Sequence, residues 1–332
     1  MAGRTSMRLV KLAVVLLATV GLVGLWAVAV HTEIPTVPIG RVSATMNLAY
    51  VRVMGRCSRS PSYDPRSGTL SFWIADDSGD IRVSSYGAET RALIEERRVP
   101  ALGDEIVVAG TLRVSEDFGT LTVDVPEHLT ISRADPVDRA IGRLGLADQY
   151  QRVRVRGEVR DVREPYQGLT LVTLRDASGA IDVAMSEDLV ALTGVTPTIA
   201  VGDPVEVVAA VSRYGDTPQL VPASAADLVR LDRSVSIAPE RSIADLSRQD
   251  LGRWVTVSGA ITRVDRFSSG VKLRLDDGTG VITVLLWQEV YAALPLAEQL
   301  RAGVRVEVTG EIDEYRGDLE IVPEADGVRV VE

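Results

Sequence analysis

Runs in which apolar and polar residues alternate recur along most of this chain. Val153, Val155 and Val159 are separated by Arg152, Arg154 and Arg156, a period of two that predicts a strand with one buried face. The same alternation appears in VRVMG, ending at Gly55, and in VTVSG, ending at Gly259. Each run leads to a second strand and then to a tight Asp/Gly turn: DDSGD at 76–80, DASG at 176–179 and DDGTG at 276–280. A third strand begins at Ile81, Ile181 and Ile282. Short helical stretches are predicted next, AETRALIEERR at 88–98 and WQEVYAALPLAEQL at 287–300. A fourth strand, a turn and a fifth strand close each unit.

The units are copies. Ile39-Gly40-Arg41-Val42 recurs as Ile141-Gly142-Arg143-Leu144 and loosely as Ile243-Ala244-Asp245-Leu246, at a constant step of 102 residues. Gly55, Gly157 and Gly259 keep that step, and each copy reaches a Val-Pro pair, at 125–126, 221–222 and 322–323. The copies span 34–133, 134–232 and 233–332. Five strands with a helix between the third and fourth is the order of the OB-fold, a small five-stranded Greek-key barrel. The expected fold class is therefore all-β with short helices: three tandem barrels after an N-terminal transmembrane helix.

That helix is read from residues 12–30, LAVVLLATVGLVGLWAVAV, which carry no charge. Arg4, Arg8 and Lys11 precede the run, so residues 1–33 predict a cytoplasmic N-terminus and a single-pass anchor, with the barrels outside the cytoplasm. A cleaved signal peptide is the alternative, since Ala27-Val28-Ala29 has the small-x-small form that signal peptidase accepts.

Composition narrows the chemistry. The chain has 332 residues, is 46% hydrophobic and carries a formal charge of −10. Acidic residues outnumber basic ones in every copy, so attraction to phosphate requires a local patch. The one cysteine, Cys57, forms no intrachain disulfide and reads as a small buried residue. Two histidines, His31 and His128, offer little for a metal site or a general base. The acidic turns lack the alternating ligands of a calcium loop and read as hairpin chemistry. No cofactor and no catalytic constellation is expected.

WVTVSGAITRV, LRLDDGTGVITVLLW and GVRVEVTGEIDEYRGDLEIV in the third copy resemble nucleic-acid-binding OB domains of the tRNA-anticodon-binding type. The resemblance weakens toward the first copy and is specific for fold more than for ligand. Surface nucleases that carry such modules add a catalytic domain for which no length remains here. Haem chaperones of similar build need a His-centred motif that VPEHLTI, around His128, does not match.

Ligands of such barrels cross strands two and three between the first and last hairpin loops. Aromatic faces stack bases, and cations meet phosphates. In the third copy Lys272 and Arg274 point outward by strand parity, with Arg266 and Phe267 in the first loop and Tyr315 and Arg316 in the last. In the first copy Trp73 and Arg82 take the equivalent face, with Phe118 in the last loop. The second copy presents Leu171, Thr173, Asp182 and Ala184, unsuited to phosphate, and its arginines 152, 154, 156 and 160 read as a solvated edge. The expected function is weak, non-catalytic binding of single-stranded nucleic acid by a membrane-tethered array. The alternative is a cell-envelope scaffold whose barrels bind proteins or glycans.

Overall fold

The computed structural model describes residues 14–24, 34–115, 118–196, 198–295 and 297–331. The first helix, α1, covers residues 14–24. No helix among the described residues is long and apolar enough to cross a membrane. The expected single-pass, N-in topology is overturned, and with it the ground on which the barrels were placed outside the cytoplasm. The rest of the apolar run, residues 12, 13 and 25–30, lies outside the described residues.

The remainder is mostly β. The first sheet is built from β1 (Tyr50–Asp64), β2 (Thr69–Asp76), β3 (Gly79–Tyr86), β4 (Glu105–Ser115), β5 (Phe118–Thr122) and β6 (Leu129–Ser132), with α2 (Gly87–Glu95) after β3. The second comprises β7 (Val137–Asp138), β8 (Arg152–Tyr166), β9 (Leu169–Asp176), β10 (Gly179–Ser186), β11 (Pro204–Tyr214), β12 (Thr217–Pro222) and β13 (Leu228–Arg230), with α3 (Glu187–Thr193) after β10. The third is β14 (Trp254–Phe267), β15 (Gly270–Asp276), β16 (Val281–Trp287), β17 (Arg305–Tyr315) and β18 (Asp318–Val330), with α4 (Gln288–Ala293) after β16.

The third sheet is a closed barrel in the order β14-β15-β16-β18-β17. In the first, β1 pairs with both β2 and β4, and in the second β8 pairs with both β9 and β11, so each of these also forms a five-stranded ring. Third and fifth strands run parallel in every copy, for example Val284 beside Ile321, which completes the OB topology.

Alternation builds the cores. In β8, Val153, Val155 and Val159 point inward and are fully or almost fully buried. In the third barrel Val257, Leu273, Val284, Val308 and Ile321 are wholly buried in one cluster. The recurrent glycine on the first strand has a spatial reason. A Cβ on Gly55, Gly157 or Gly259 would lie 2.5, 2.9 or 2.6 Å from a carbonyl oxygen of the second strand. The first strand bends too tightly across the second for any side chain at that position.

Two expectations about elements change. α4 stops at Ala293 instead of running to residue 300, because Pro295 supplies no backbone N–H; only a short 3-10 turn, Ala297–Gln299, follows. Arg160 is not on a solvated edge: its side chain is 8% exposed. The chain forms two compact units. One holds most of the first barrel, including Arg66–Val99 and Glu105–Ser132, and the other holds the second and third barrels together.

Candidate nucleic-acid interface

In the third barrel, strand ladders set the outer face. Lys272 pairs with Leu285, Arg274 with Thr283 and Gly270 with Trp287 across β15 and β16. Because side chains alternate, these rows share the face opposite the buried Leu273 and Val284. Trp287, Leu285 and Thr283 therefore follow one another along β16 on the side away from the barrel core, spaced roughly 7 Å apart; Trp287 is exposed there and Leu285 is covered.

Aromatic groups stand along this face. Trp287 is 48% exposed and meets Phe267, 40% exposed, edge-on with ring centres 6.3 Å apart. Tyr315, at the end of β17, is 51% exposed. The Lys272 Nζ lies 4.6 Å from the Tyr315 ring centre, and the Arg316 guanidinium lies 5.1 Å from it. Tyr315 and Arg316 reach this position because the β17–β18 turn is tight, with Arg316 itself in the left-handed region at φ 56°. Lys272, Tyr315 and Arg316 thus come together. Arg266 does not join them: it lies over Tyr291 of α4 and donates to that hydroxyl at 3.2 Å.

The cations differ in how far they are engaged. Lys272 donates to Glu320 Oε2 at 2.9 Å, and Glu320 is 5% exposed. Arg274 and Arg316 are exposed and make no ion pair among the described residues. Arg274 also sits directly opposite Arg263 on β14, which is held by Asp265 at 2.7 Å. Like charges facing each other across a ladder are unfavourable until an anion arrives.

In the first barrel Trp73 and Arg82 are direct cross-strand partners, and Arg82 donates to Ser71 at 3.1 Å. Phe118 opens β5, but its side chain lies outside the described residues. The second barrel closes the equivalent face on itself. Arg163 donates to Thr173 at 2.8 Å and to Asp182 at 2.6 Å, and Thr173 donates to Asp182 at 2.6 Å.

Trp287 is the residue that sequence reading missed. The stretch 287–300 predicts it as helical, whereas it ends β16 and precedes α4. The parity of the strand that starts at Ile282 could have found it, since core-facing Ile282, Val284 and Leu286 turn 283 and 287 to the other side, although Leu285 between them is buried as well. Tyr86, 48% exposed at the end of β3, takes the same place in the first barrel. Among the described residues there is no group of His, Cys, Asp and Glu side chains that could hold a metal ion.

Residues 255–326 match the family model of the OB-fold nucleic acid binding domain, the segment that carries this face. A curated relative is the exodeoxyribonuclease 7 large subunit of Rhodospirillum centenum, 37% identical over 92 residues. That match covers 26% of this chain and spans 17% of the relative's length. Among solved structures, the S. pombe Stn1–Ten1 complex is 23% identical over 24% of this chain and 58% of its own, with a TM-score of 0.22. A replication protein A heterotrimer bound to ssDNA is 24% identical over 24% of this chain and 57% of its own, with a TM-score of 0.20.

Proposed function

We propose that this protein binds single-stranded nucleic acid, without acting on it chemically, through the outer face of β15 and β16 in the third barrel. The observation that carries the reading is the set of exposed aromatics Phe267, Trp287 and Tyr315 beside two exposed arginines without a carboxylate partner among the described residues, Arg274 and Arg316. It lies within the segment that matches a nucleic-acid-binding family. Aromatic faces accept any base, so the expected binding is tolerant of sequence. Few cations take part and the body carries a charge of −10, so affinity is micromolar at best near physiological salt.

DNA is the first probe, because the name of the curated relative concerns deoxyribonucleic acid. Trp73 and Arg82 make the first barrel a second, weaker contributor under the same reading. The alternative of an envelope scaffold rests on the acidic body and on the use of OB-folds for glycans; the match of residues 255–326 to a nucleic-acid-binding family favours the first reading. Fluorescence anisotropy of labelled oligothymidylate with the full chain tests the proposal. Saturable binding that weakens with salt is expected, with the strand recovered intact. Absence of binding at low salt, or shortening of the strand, would overturn it.

A further inference from the structure

Two of the cations on the proposed face are open to solvent, while the third is already occupied. Glu320 is 5% exposed, and an ionised carboxylate at that depth requires a partner. The Lys272 ammonium supplies it at 2.9 Å while standing 4.6 Å from the Tyr315 ring centre. Drawing Nζ away onto a phosphate would strand the carboxylate and remove a cation from the ring. The residue type agrees with this arrangement. Lysine occurs only at positions 11 and 272, against arginine at every other basic position. An ammonium is a compact point charge able to serve a carboxylate and a ring at once, whereas a guanidinium is a wide planar fork.

We infer that Lys272 is a positioning residue, which holds Tyr315 as a base-stacking platform through its ion pair with Glu320, and that phosphate is met by Arg274 and Arg316. The inference rests on the nucleic-acid reading and refines how that site works. The face then takes a short single strand whose bases lie on Tyr315 and on the Phe267–Trp287 pair, with its phosphates passing Arg274 and Arg316.

Salt dependence separates the roles, because each phosphate contact adds to the slope of log affinity against log salt. Titrations of the full chain with labelled oligothymidylate over a salt series should show Arg274→Ala and Arg316→Ala each flattening the slope by about 0.7. Lys272→Met should leave the slope unchanged and weaken binding about five-fold, as for partial loss of one stacked base. Tyr315→Ala should cost the wild type at least that factor and cost the Lys272→Met background much less. Should Lys272→Met fail to fold, the double variant Lys272→Met/Glu320→Gln, which carries no unpaired buried carboxylate, replaces it. A slope flattened by Lys272→Met as much as by Arg316→Ala would overturn the inference, as would an equal cost of Tyr315→Ala in both backgrounds. A wild type that binds at no salt concentration overturns the nucleic-acid reading as well, and is recognised before any variant is compared.

Discussion

The Arg175 guanidinium, from the second strand of the second barrel, lies 4.3 Å from the ring centre of Trp254, which opens the first strand of the third. Arg160 approaches the same ring at 5.6 Å. Around it, Arg160 donates to Glu158 at 2.5 Å, to Asp326 at 2.7 and 2.9 Å, and to Glu324. Its hydrogen bond holds the Asp326 carboxyl below the usual carboxylate range, against the opposing effect of burial. The second and third barrels are therefore joined by an ionic cluster around the buried Arg160, with Glu324 and Asp326 half exposed, capped by an indole.

Removing the centre of that cluster should be costly. Arg160→Ala leaves Glu158, Glu324 and Asp326 without their shared cation; because water reaches Glu324 and Asp326, the expected loss is about 1–3 kcal/mol. Calorimetry should show a lower transition temperature, and Trp254→Ala a milder shift in the same direction. Unchanged unfolding of Arg160→Ala would mean that the cluster couples nothing.

A second prediction concerns the Asp/Gly turns. Asp76, Asp176 and Asp277 accept the backbone N–H of Ile39, Ile141 and Ile243 at 3.0, 2.9 and 2.8 Å. The repeated acidic turn thus clamps the repeated Ile-x-x-Leu/Val turn. Burial pushes the Asp277 carboxyl up, but bonds from Ile243, Thr279 and Gly280 outweigh it and hold it at about 2. A depressed carboxyl stabilises the fold fully above its ordinary pKa of about 4, and loses that contribution as the pH falls toward 2. Asp277→Asn should cost about 1–2 kcal/mol in urea denaturation at neutral pH. The gap to the wild type should narrow steadily below pH 4, and a gap independent of pH would contradict this account.

Gly142 tests the same clamp sterically. A Cβ there would stand 2.0 Å from the Ser178 carbonyl oxygen, whereas one on Gly145 meets nothing within 4 Å. Gly142→Ala should lose about 1–3 kcal/mol by overpacking, with Gly145→Ala near neutral in the same denaturation series. The third copy carries Ala244 at the matching place, and its turn uses the second aspartate, Asp277, and is one residue longer.

For the proposed ligand, Tyr315→Ala and Trp287→Ala should each weaken oligothymidylate binding by about five- to a hundred-fold. Thr173→Ala should change it little, since that face of the second barrel is internally bonded. Equal losses at all three positions by anisotropy would show that the third barrel has no special part.

Three repeated β units, their strand parity and the Asp/Gly turns were legible in the sequence. They follow from local rules: side chains alternate in a strand, and tight turns need particular residues. Parity also placed Lys272 and Arg274 outside. It could not tell that one was occupied and the other open, because Glu320 reaches Lys272 across β16 and β18, a relation set by the closure of the barrel. Arg160 looked like one cation in a solvated stripe, since its partners Glu324 and Asp326 lie more than a hundred and sixty residues away. Sequence fixes which face a residue takes within its own strand. Which charges meet across strands and barrels is decided only by tertiary structure.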